Sequence, residues 1–270
     1  MKNRTFMLLS LLLTSVFVFS SCCCDSKSQG SSCCASTAQE DAGCAKKQIY
    51  EWRVYTLTGE GTALDDYFKN ALIPAYNRCD VSVGAFTLYN QEEKEQRYLL
   101  FVYPCLQTYN KVRQTVWKDQ AFQSAARSFF ETSAPNPVYS EYETYICEAF
   151  DKVPEMRMPD KSRTLFEFRL YHSPNEEANQ RKIKMFNVEE IDLFDKVGVN
   201  SVCYGEILSG TRMPALIYLT WYKDEATRGS AWAAFGAHPD WERMKSKPEY
   251  KNTATNNFSK LLSPLPFSQF

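Results

Sequence analysis

The sequence has very few histidines: His172 and His238 are the only two in 270 residues. A metal or haem site built from several imidazoles is therefore excluded, although a single axial histidine is not. The chain also lacks the dinucleotide-binding glycine motif, the phosphate-binding loop, the nucleophile elbow and the HExxH zinc motif. No metal site is expected, and the sequence does not indicate which cofactor, if any, the protein binds.

An excess of positive charge is absent as well. The formal net charge is −1, and loss of Lys2 and Arg4 with a cleaved leader changes it to −3. No broad basic field is available to hold nucleic acid, so we expect no nucleic-acid partner. A hydrophobic share of 44% and an aromatic share of 14% are instead typical of a chain that buries a core.

The apolar run from Met7 to Phe19 is too short to span a bilayer, which needs about 20 residues. It follows a basic start and ends in Ser20-Ser21-Cys22, so residues 1–21 are predicted to be a secretory signal peptide. Small residues before Cys22 resemble the lipobox of bacterial lipoproteins. That resemblance implies a lipidated Cys22 and anchoring to a bacterial membrane at the cell envelope, on the periplasmic or surface face. An ordinary signal peptide cut nearby is the alternative.

Six of the ten cysteines lie before the predicted body, in a segment rich in Ser, Ala, Gly and Gln. This composition predicts a flexible Cys- and Ser-rich tether over residues 22–47. Its thiols could pair with each other after export, bind metal or accept acyl chains, but no zinc spacing is present. A disulfide framework in the body is not expected, because such frameworks belong to small domains without a core.

The body carries an internal repeat. Residues 49–55, IYEWRVY, return as residues 165–171, LFEFRLY, with the Glu, Arg and Tyr positions all offset by 116 residues. After each copy the pattern predicts a helix, two strands, a second helix and a final strand. This β-α-β-β-α-β order is that of a ferredoxin-like module. The predicted modules are residues 48–150 and 162–270, joined by a linker over residues 151–161 that contains two prolines.

Several local features are predicted within these modules. Pro74 is expected to kink or shorten the first helix, and one long helix is expected from Gln107 to Phe130. In the second module, Ser173-Pro174-Asn175-Glu176 has the pattern of a capping box, and Gly198 is expected to end the helix that follows. Asp240 is expected to cap a short helix after the break at Pro239.

Each four-stranded sheet would leave one face without helices. We therefore predict an α+β fold in which two tandem ferredoxin-like modules pack sheet to sheet as a pseudo-dimer of the dimeric α/β barrel type. A second chain could cover such a face as well, so a homo-oligomer remains an alternative.

The residues also resemble those of a known family. The resembling segments are residues 49–55, 166–169 (FEFR), 184–187 (KMFN), 231–235 (AWAAF), 238–241 (HPDW) and 263–269 (SPLPFSQ). In these segments the body is similar to the NIPSNAP family of dimeric α+β barrel proteins, over nearly all of residues 49–270. The resemblance implies the fold and a tendency to associate. It implies no catalytic residues that could be carried over to this chain.

Alternation along a strand gives the candidate site. The side chains of Tyr50, Trp52 and Val54 are expected to pack against the helices. Glu51, Arg53 and Tyr55 alternate with them and are therefore expected on the opposite face of the sheet. Glu167, Arg169 and Tyr171 repeat this arrangement in the second module. These six residues are predicted to line a polar cavity between the sheets that binds a small oxygenated or anionic ligand. The alternative is a pair of buried ion pairs that determine strand register.

The leading hypothesis for function is therefore an envelope-anchored, NIPSNAP-like lipoprotein that binds a small ligand or a protein. The alternative is a small-molecule oxygenase or related enzyme that uses the cavity between the two sheets, an analogy from the fold alone. The sequence does not decide whether the protein is an enzyme.

Overall fold

A computed structural model describes residues 47–90 and 95–270. The predicted signal peptide, nearly all of the tether and the predicted lipidation site Cys22 lie outside these residues. Within the described residues, no helix has both the length and the apolar character that crossing a membrane requires.

The first copy begins and ends with a strand, and a π-helical segment interrupts its first helix. Its elements are β1 (Ile49–Leu57), α1 (Thr62–Tyr67), a π-helical segment (Phe68–Leu72), α2 (Ile73–Asn77), β2 (Ser82–Leu88), β3 (Gln96–Tyr103), α3 (Leu106–Lys118), α4 (Gln120–Ser133) and β4 (Tyr139–Ala149).

The second copy has the same order of strands and helices. Its elements are β5 (Leu165–His172), α5 (Glu176–Met185), a π-helical segment (Phe186–Glu190), α6 (Ile191–Val197), β6 (Asn200–Ser209), β7 (Ala215–Tyr222), α7 (Glu225–Ala237), α8 (Pro239–Ser246), a 3₁₀ turn (Pro248–Tyr250) and β8 (Asn256–Pro264).

The described strands form one closed antiparallel barrel in the order β1-β3-β2-β8-β5-β7-β6-β4. Each copy supplies four neighbouring strands, and two seams join the copies. At one seam Leu88 of β2 lies opposite Leu262 of β8, and at the other Glu148 of β4 lies opposite Glu206 of β6. This closed barrel confirms the predicted α+β fold of two ferredoxin-like modules that join their sheets.

The interior of the barrel is filled by apolar side chains. Tyr50, Trp52 and Val54 point into it from the first copy, together with Phe166 and Phe168 from the second. The edge of Trp52 meets Phe168 with ring centroids 4.9 Å apart. An eight-stranded barrel is just wide enough for side chains to fill, so large aromatic residues suit this space.

The predicted orientation of the strand faces is therefore wrong. Glu51, Arg53 and Tyr55 lie on the outer face of the barrel wall, under the helices, as do Glu167 and its neighbours. The prediction is wrong because the face that the helices cover is not purely apolar. In this fold the helices bring polar partners of their own, such as the hydroxyl of Tyr76 and the guanidinium of Arg228.

Two further apolar cores lie between the barrel wall and the helices, one in each copy. In the first copy, Leu64 and Phe68 belong to one buried cluster with Phe101 and Tyr103 of β3. In the second, Phe186 and Phe194 pack against Tyr204 and Tyr218. The candidate site lies in this layer of the second copy.

The helix boundaries differ from the sequence prediction at three capping residues. Asp119 divides the expected long helix, because its carboxylate accepts a hydrogen bond from the backbone N–H of Ala121 at 2.9 Å and starts α4. Asn175, not Ser173, caps α5. His238, not Asp240, caps α8: its Nδ1 accepts from the backbone N–H of Asp240 at 3.1 Å.

Pro74 does not end the first helix. The π-helical segment Phe68–Leu72 comes directly before it, and the wider turn accommodates a residue that has no N–H to donate. Gly198 ends α6 as predicted, with a φ of +81° that only glycine adopts at little cost.

The seam between β4 and β6 gives a pH-dependent prediction. Burial and the nearby Glu148 raise the pKa of Glu206 above its ordinary value of 4.5, although a hydrogen bond from Gln180 opposes this. Folding therefore favours the protonated carboxyl, and the stability this group adds is lost as the pH rises through the raised pKa. Glu206→Gln keeps the acceptor for Gln180 without the charge.

We expect Glu206→Gln to raise the melting temperature at pH 7. The gain should shrink as the pH falls and disappear near pH 3, where the carboxyl is protonated in both the folded and unfolded chains. Thermal melts at both pH values measure this, with the exposed Glu225→Gln as a control. An equal gain at the two pH values would contradict the electrostatic cause.

Candidate functional site

A cavity of about 290 Å³ lies between the barrel wall and the helices of the second copy. Its walls come from β5, α5, the second π-helical segment, α7, α8 and the start of β8. The lining residues are Arg169, Tyr171, Lys182, Glu190, Trp232, Phe235, Trp241, Ala254 and Asn257. This volume lies near the lower end of the range of small-molecule sites, about 300–1,000 Å³.

Glu167 holds one side of the cavity in place. It is fully buried on β5, and its carboxylate accepts hydrogen bonds from Arg169 Nη1, from Arg228 Nε and Nη2, and from Trp232 Nε1, each at 2.8 Å. The two bonds from Arg228 form a bidentate pair, which is a strong arrangement for a buried carboxylate. Glu167 is thus satisfied and positions Arg169 and Trp232 in the cavity wall.

Arg169 is only partly satisfied. Its guanidinium lies 4.5 Å from the centre of the Trp232 ring, and one nitrogen bonds Glu167. Its Nε is buried without a hydrogen-bond partner among the described residues. A buried donor without an acceptor costs about 1–3 kcal/mol, so an acceptor in the cavity would stabilise this side chain.

A buried ion pair forms the opposite side. Lys182 on α5 donates to Glu190 Oε2 at 2.9 Å, and the two residues are 6% and 3% exposed. The ammonium also lies 4.8 Å from the centre of the Phe186 ring. In an uninterrupted α-helix, residues eight apart differ by about 80° around the axis. The wider π-helical turn between them brings Lys182 and Glu190 to the same side.

The charges around this cavity do not cancel. Arg169, Arg228 and Lys182 carry three positive charges, against two negative charges on Glu167 and Glu190. The site has one excess positive charge in a partly buried, aromatic environment, where an anion is favoured.

Tyr171, which lines the cavity, and the neighbouring Tyr218 both stay neutral. Burial raises the pKa of Tyr171, and it raises the pKa of Tyr218 well above the ordinary value of 10.0. Tyr218 donates its hydroxyl proton to the oxygen of Tyr171 at 2.8 Å. The Tyr171 hydroxyl therefore keeps a proton of its own to donate.

The corresponding residues of the first copy form a closed cluster. Arg53 donates to Glu51 at 2.6 Å and to the hydroxyl of Tyr76 at 2.8 Å, and Tyr103 donates to the other oxygen of Glu51 at 2.6 Å. Tyr55 packs beside them. None of the predicted trio Glu51, Arg53 and Tyr55 lines the cavity described above.

The six predicted residues thus fall into two groups. Arg169 and Tyr171 line a cavity, and Glu167 supports it. In the first copy, Glu51 and Arg53 form a buried ion pair, and Tyr55 packs beside it. Sequence reasoning missed Lys182, Glu190 and the two cavity tryptophans, Trp232 and Trp241. A helical wheel does not bring Lys182 and Glu190 together, and Trp232 and Trp241 lie among apolar neighbours in the sequence, a pattern typical of core residues.

Neither histidine belongs to the cavity. His172 Nδ1 lies 3.1 Å from the hydroxyl of Thr255, and His238 caps α8. In the described part of the chain, no group of three or more His, Cys, Asp or Glu residues is arranged to hold a metal ion.

Solved structures share this fold at low sequence identity. A putative monooxygenase from Fusobacterium nucleatum superposes with a TM-score of 0.52 and 10% identity, covering 81% of this chain and 93% of that one. A putative monooxygenase from Lactobacillus acidophilus gives a TM-score of 0.51, again at 10% identity, covering 81% and 94%. At this identity the likeness shows the fold alone.

A NIPSNAP-like domain protein from Burkholderia xenovorans is 21% identical over 40% of this chain and 90% of its own length, with a TM-score of 0.36. No curated protein sequence matches this chain. The NIPSNAP family model matches residues 166–269, whereas the resemblance seen in the sequence extended over both copies. The match to the NIPSNAP family is therefore confined to the second copy of this chain.

Proposed function

We propose that the cavity of the second copy binds a small anion with a flat apolar body, such as an aromatic carboxylate. The observation that carries this is a cavity with one excess positive charge, in whose wall Arg169 has a buried Nε without a partner among the described residues. The carboxylate would accept from Arg169 and from the Tyr171 hydroxyl. The rings of Trp232, Phe235 and Trp241 supply the apolar walls.

Binding of benzoate tests this proposal. We expect benzoate to raise the melting temperature in a concentration-dependent way, and its neutral analogue benzamide to have little effect, because only the carboxylate compensates the excess charge. Arg169→Gln should lower benzoate affinity at least about tenfold. Arg157→Gln is the matched control, because the Arg157 side chain is 40% exposed and pairs with Asp195 at the surface.

Equal shifts with benzoate and benzamide, or an unchanged affinity in Arg169→Gln, would contradict the proposal. Native mass spectrometry of protein purified from its own host complements this test, since a retained ligand is identified by its mass.

A small-molecule oxygenase is the second candidate function. Its support is the fold shared with two solved structures described as putative monooxygenases. The barrel interior, where the sequence placed the reaction, is packed with side chains such as Trp52 and Phe168. An oxygenase would therefore use the second-copy cavity. Oxygen consumption with a phenolic acid, lost in Arg169→Gln, would favour it over simple binding.

We also propose that the chain is anchored to a bacterial membrane through Cys22. The support is the order of basic start, short apolar run and small residues before this cysteine. We expect Cys22→Ala to abolish metabolic labelling with a palmitate analogue and to leave the leader unprocessed by the lipoprotein signal peptidase. A variant that still incorporates the label and fractionates with membranes would place the lipid elsewhere; Cys44→Ala is the control.

A further inference from the structure

Glu190, in the cavity of the second copy, has a carboxylate oxygen for which benzoate offers no donor. The residue lines this cavity and is 3% exposed. Its Oε2 accepts from Lys182 Nζ at 2.9 Å, and this is the one hydrogen bond that the described residues donate to the carboxylate. The other oxygen, Oε1, can therefore accept a hydrogen bond from a ligand in the cavity.

The Lys182 ammonium, in contrast, is surrounded by partners. It donates to Glu190 and to Met185 Sδ, the latter at 3.5 Å. It also lies 4.8 Å from the centre of the Phe186 ring and 5.5 Å from the centre of the Tyr171 ring. What this side of the cavity lacks is a hydrogen-bond donor, not an acceptor.

The charges around the cavity determine what kind of donor fits. Lys182 and Glu190 neutralise each other. The excess positive charge therefore belongs to the two arginines on Glu167, which are Arg169 and Arg228. A carboxylate at Arg169 cancels that charge. The donor for Glu190 then has to be neutral, as a phenolic hydroxyl is, because a charged one would leave a net charge in a partly buried cavity.

Both polar groups adjoin the same tyrosine ring. The centre of the Tyr171 ring lies 5.4 Å from the guanidinium carbon of Arg169 and 5.5 Å from Lys182 Nζ. The guanidinium and the ammonium are therefore separated by no more than the sum of these two distances, and Glu190 bonds the ammonium directly. On a benzene ring, a hydroxyl at position 3 or 4 points away from the carboxylate, so it can reach Glu190 while the carboxylate stays at Arg169.

We propose that the ligand of this cavity is a hydroxylated aromatic carboxylate. Its hydroxyl, at position 3 or 4 of the ring, donates to Glu190 Oε1, and this bond makes Glu190 the residue that selects for the hydroxyl. The proposal rests on the proposed function, because it takes the carboxylate to be bound at Arg169.

Isothermal titration calorimetry of the full chain with a series of acids tests the proposal. The acids are benzoate, 2-, 3- and 4-hydroxybenzoate, and 3- and 4-methoxybenzoate. We expect 3- or 4-hydroxybenzoate to bind at least about tenfold more tightly than benzoate, because its hydroxyl bonds a charged acceptor. The matching methyl ether has no proton to donate and should bind no more tightly than benzoate. 2-Hydroxybenzoate should show no gain, because its hydroxyl bonds its own carboxylate.

A double variant identifies the acceptor. Lys182→Met with Glu190→Leu replaces the buried pair by apolar side chains of similar size, so no buried charge is left without its partner. The ratio of hydroxybenzoate affinity to benzoate affinity should fall from at least about ten to about one. Lys184→Met with Glu249→Leu is the matched control and should keep the ratio, because this pair, at 2.7 Å, is exposed.

The proposal is overturned if neither isomer binds more tightly than benzoate, if a methyl ether binds as tightly as its phenol, or if the double variant keeps the original ratio. The first two comparisons use the unaltered chain, so they hold even if the double variant does not fold. Binding of benzoate without a gain from the hydroxyl would overturn this proposal alone. No heat of binding from any of the acids at about 10 mM would overturn the proposed function as well.

Discussion

Arg53→Ala is expected to destabilise the protein by about 3–5 kcal/mol, because it strands the buried carboxylate of Glu51. The two side chains are 11% and 4% exposed, and after the substitution the Tyr103 hydroxyl would be the one described donor left for Glu51. Arg53 also packs on the Phe101 ring at 4.3 Å, and this contact is lost as well. Urea denaturation at pH 7 measures the difference in unfolding free energy.

The second copy supplies the matched control. Arg169→Ala removes the same atoms from the equivalent position, but Glu167 keeps both bonds from Arg228 and the bond from Trp232. We expect a loss of only about 1 kcal/mol. Similar losses in the two variants would contradict the assignment of a structural pair to the first copy and a cavity residue to the second.

Trp52→Ala should destabilise the barrel by about 3–5 kcal/mol, the usual cost of truncating a large buried aromatic residue. Trp52 is 1% exposed and contacts rings from both copies, Phe86 and Phe168. Its loss leaves a void where the two halves of the wall face each other. Trp117→Ala is the control for a change of the same size, since Trp117 is 61% exposed and its loss should cost about 1 kcal/mol or less.

Chemical denaturation of the two tryptophan variants, followed by far-UV circular dichroism, measures these values without relying on tryptophan fluorescence. A Trp52→Ala protein as stable as Trp117→Ala would mean that the barrel interior is not the tight aromatic core described above.

Much of the fold could be predicted from the sequence. The repeat of Glu, Arg and Tyr at an offset of 116 residues indicated two copies, and the order of strands and helices in each indicated the ferredoxin-like module. The closed barrel follows from two such sheets that each lack a cover on one face. The strand faces could not be predicted, since Trp52 and Arg53 both belong to buried layers and alternation alone does not say which layer lies inside the barrel.

The candidate site was only half predictable. Glu167, Arg169 and Tyr171 stood out because they repeat an earlier segment. Lys182 and Glu190 reach the same cavity only because a π-helical segment alters the helical register between them.

Because the two copies belong to one chain, the residues of each half of the barrel wall can change independently. In a barrel made from two identical chains, every substitution occurs twice, so a change that opens a ligand cavity on one side also removes the buried ion pair on the other. Here Arg53 and Arg169 are encoded separately. The ligand preference of the Arg169 cavity can therefore be altered, by selection or by design, while the Glu51–Arg53 pair continues to hold its half of the wall.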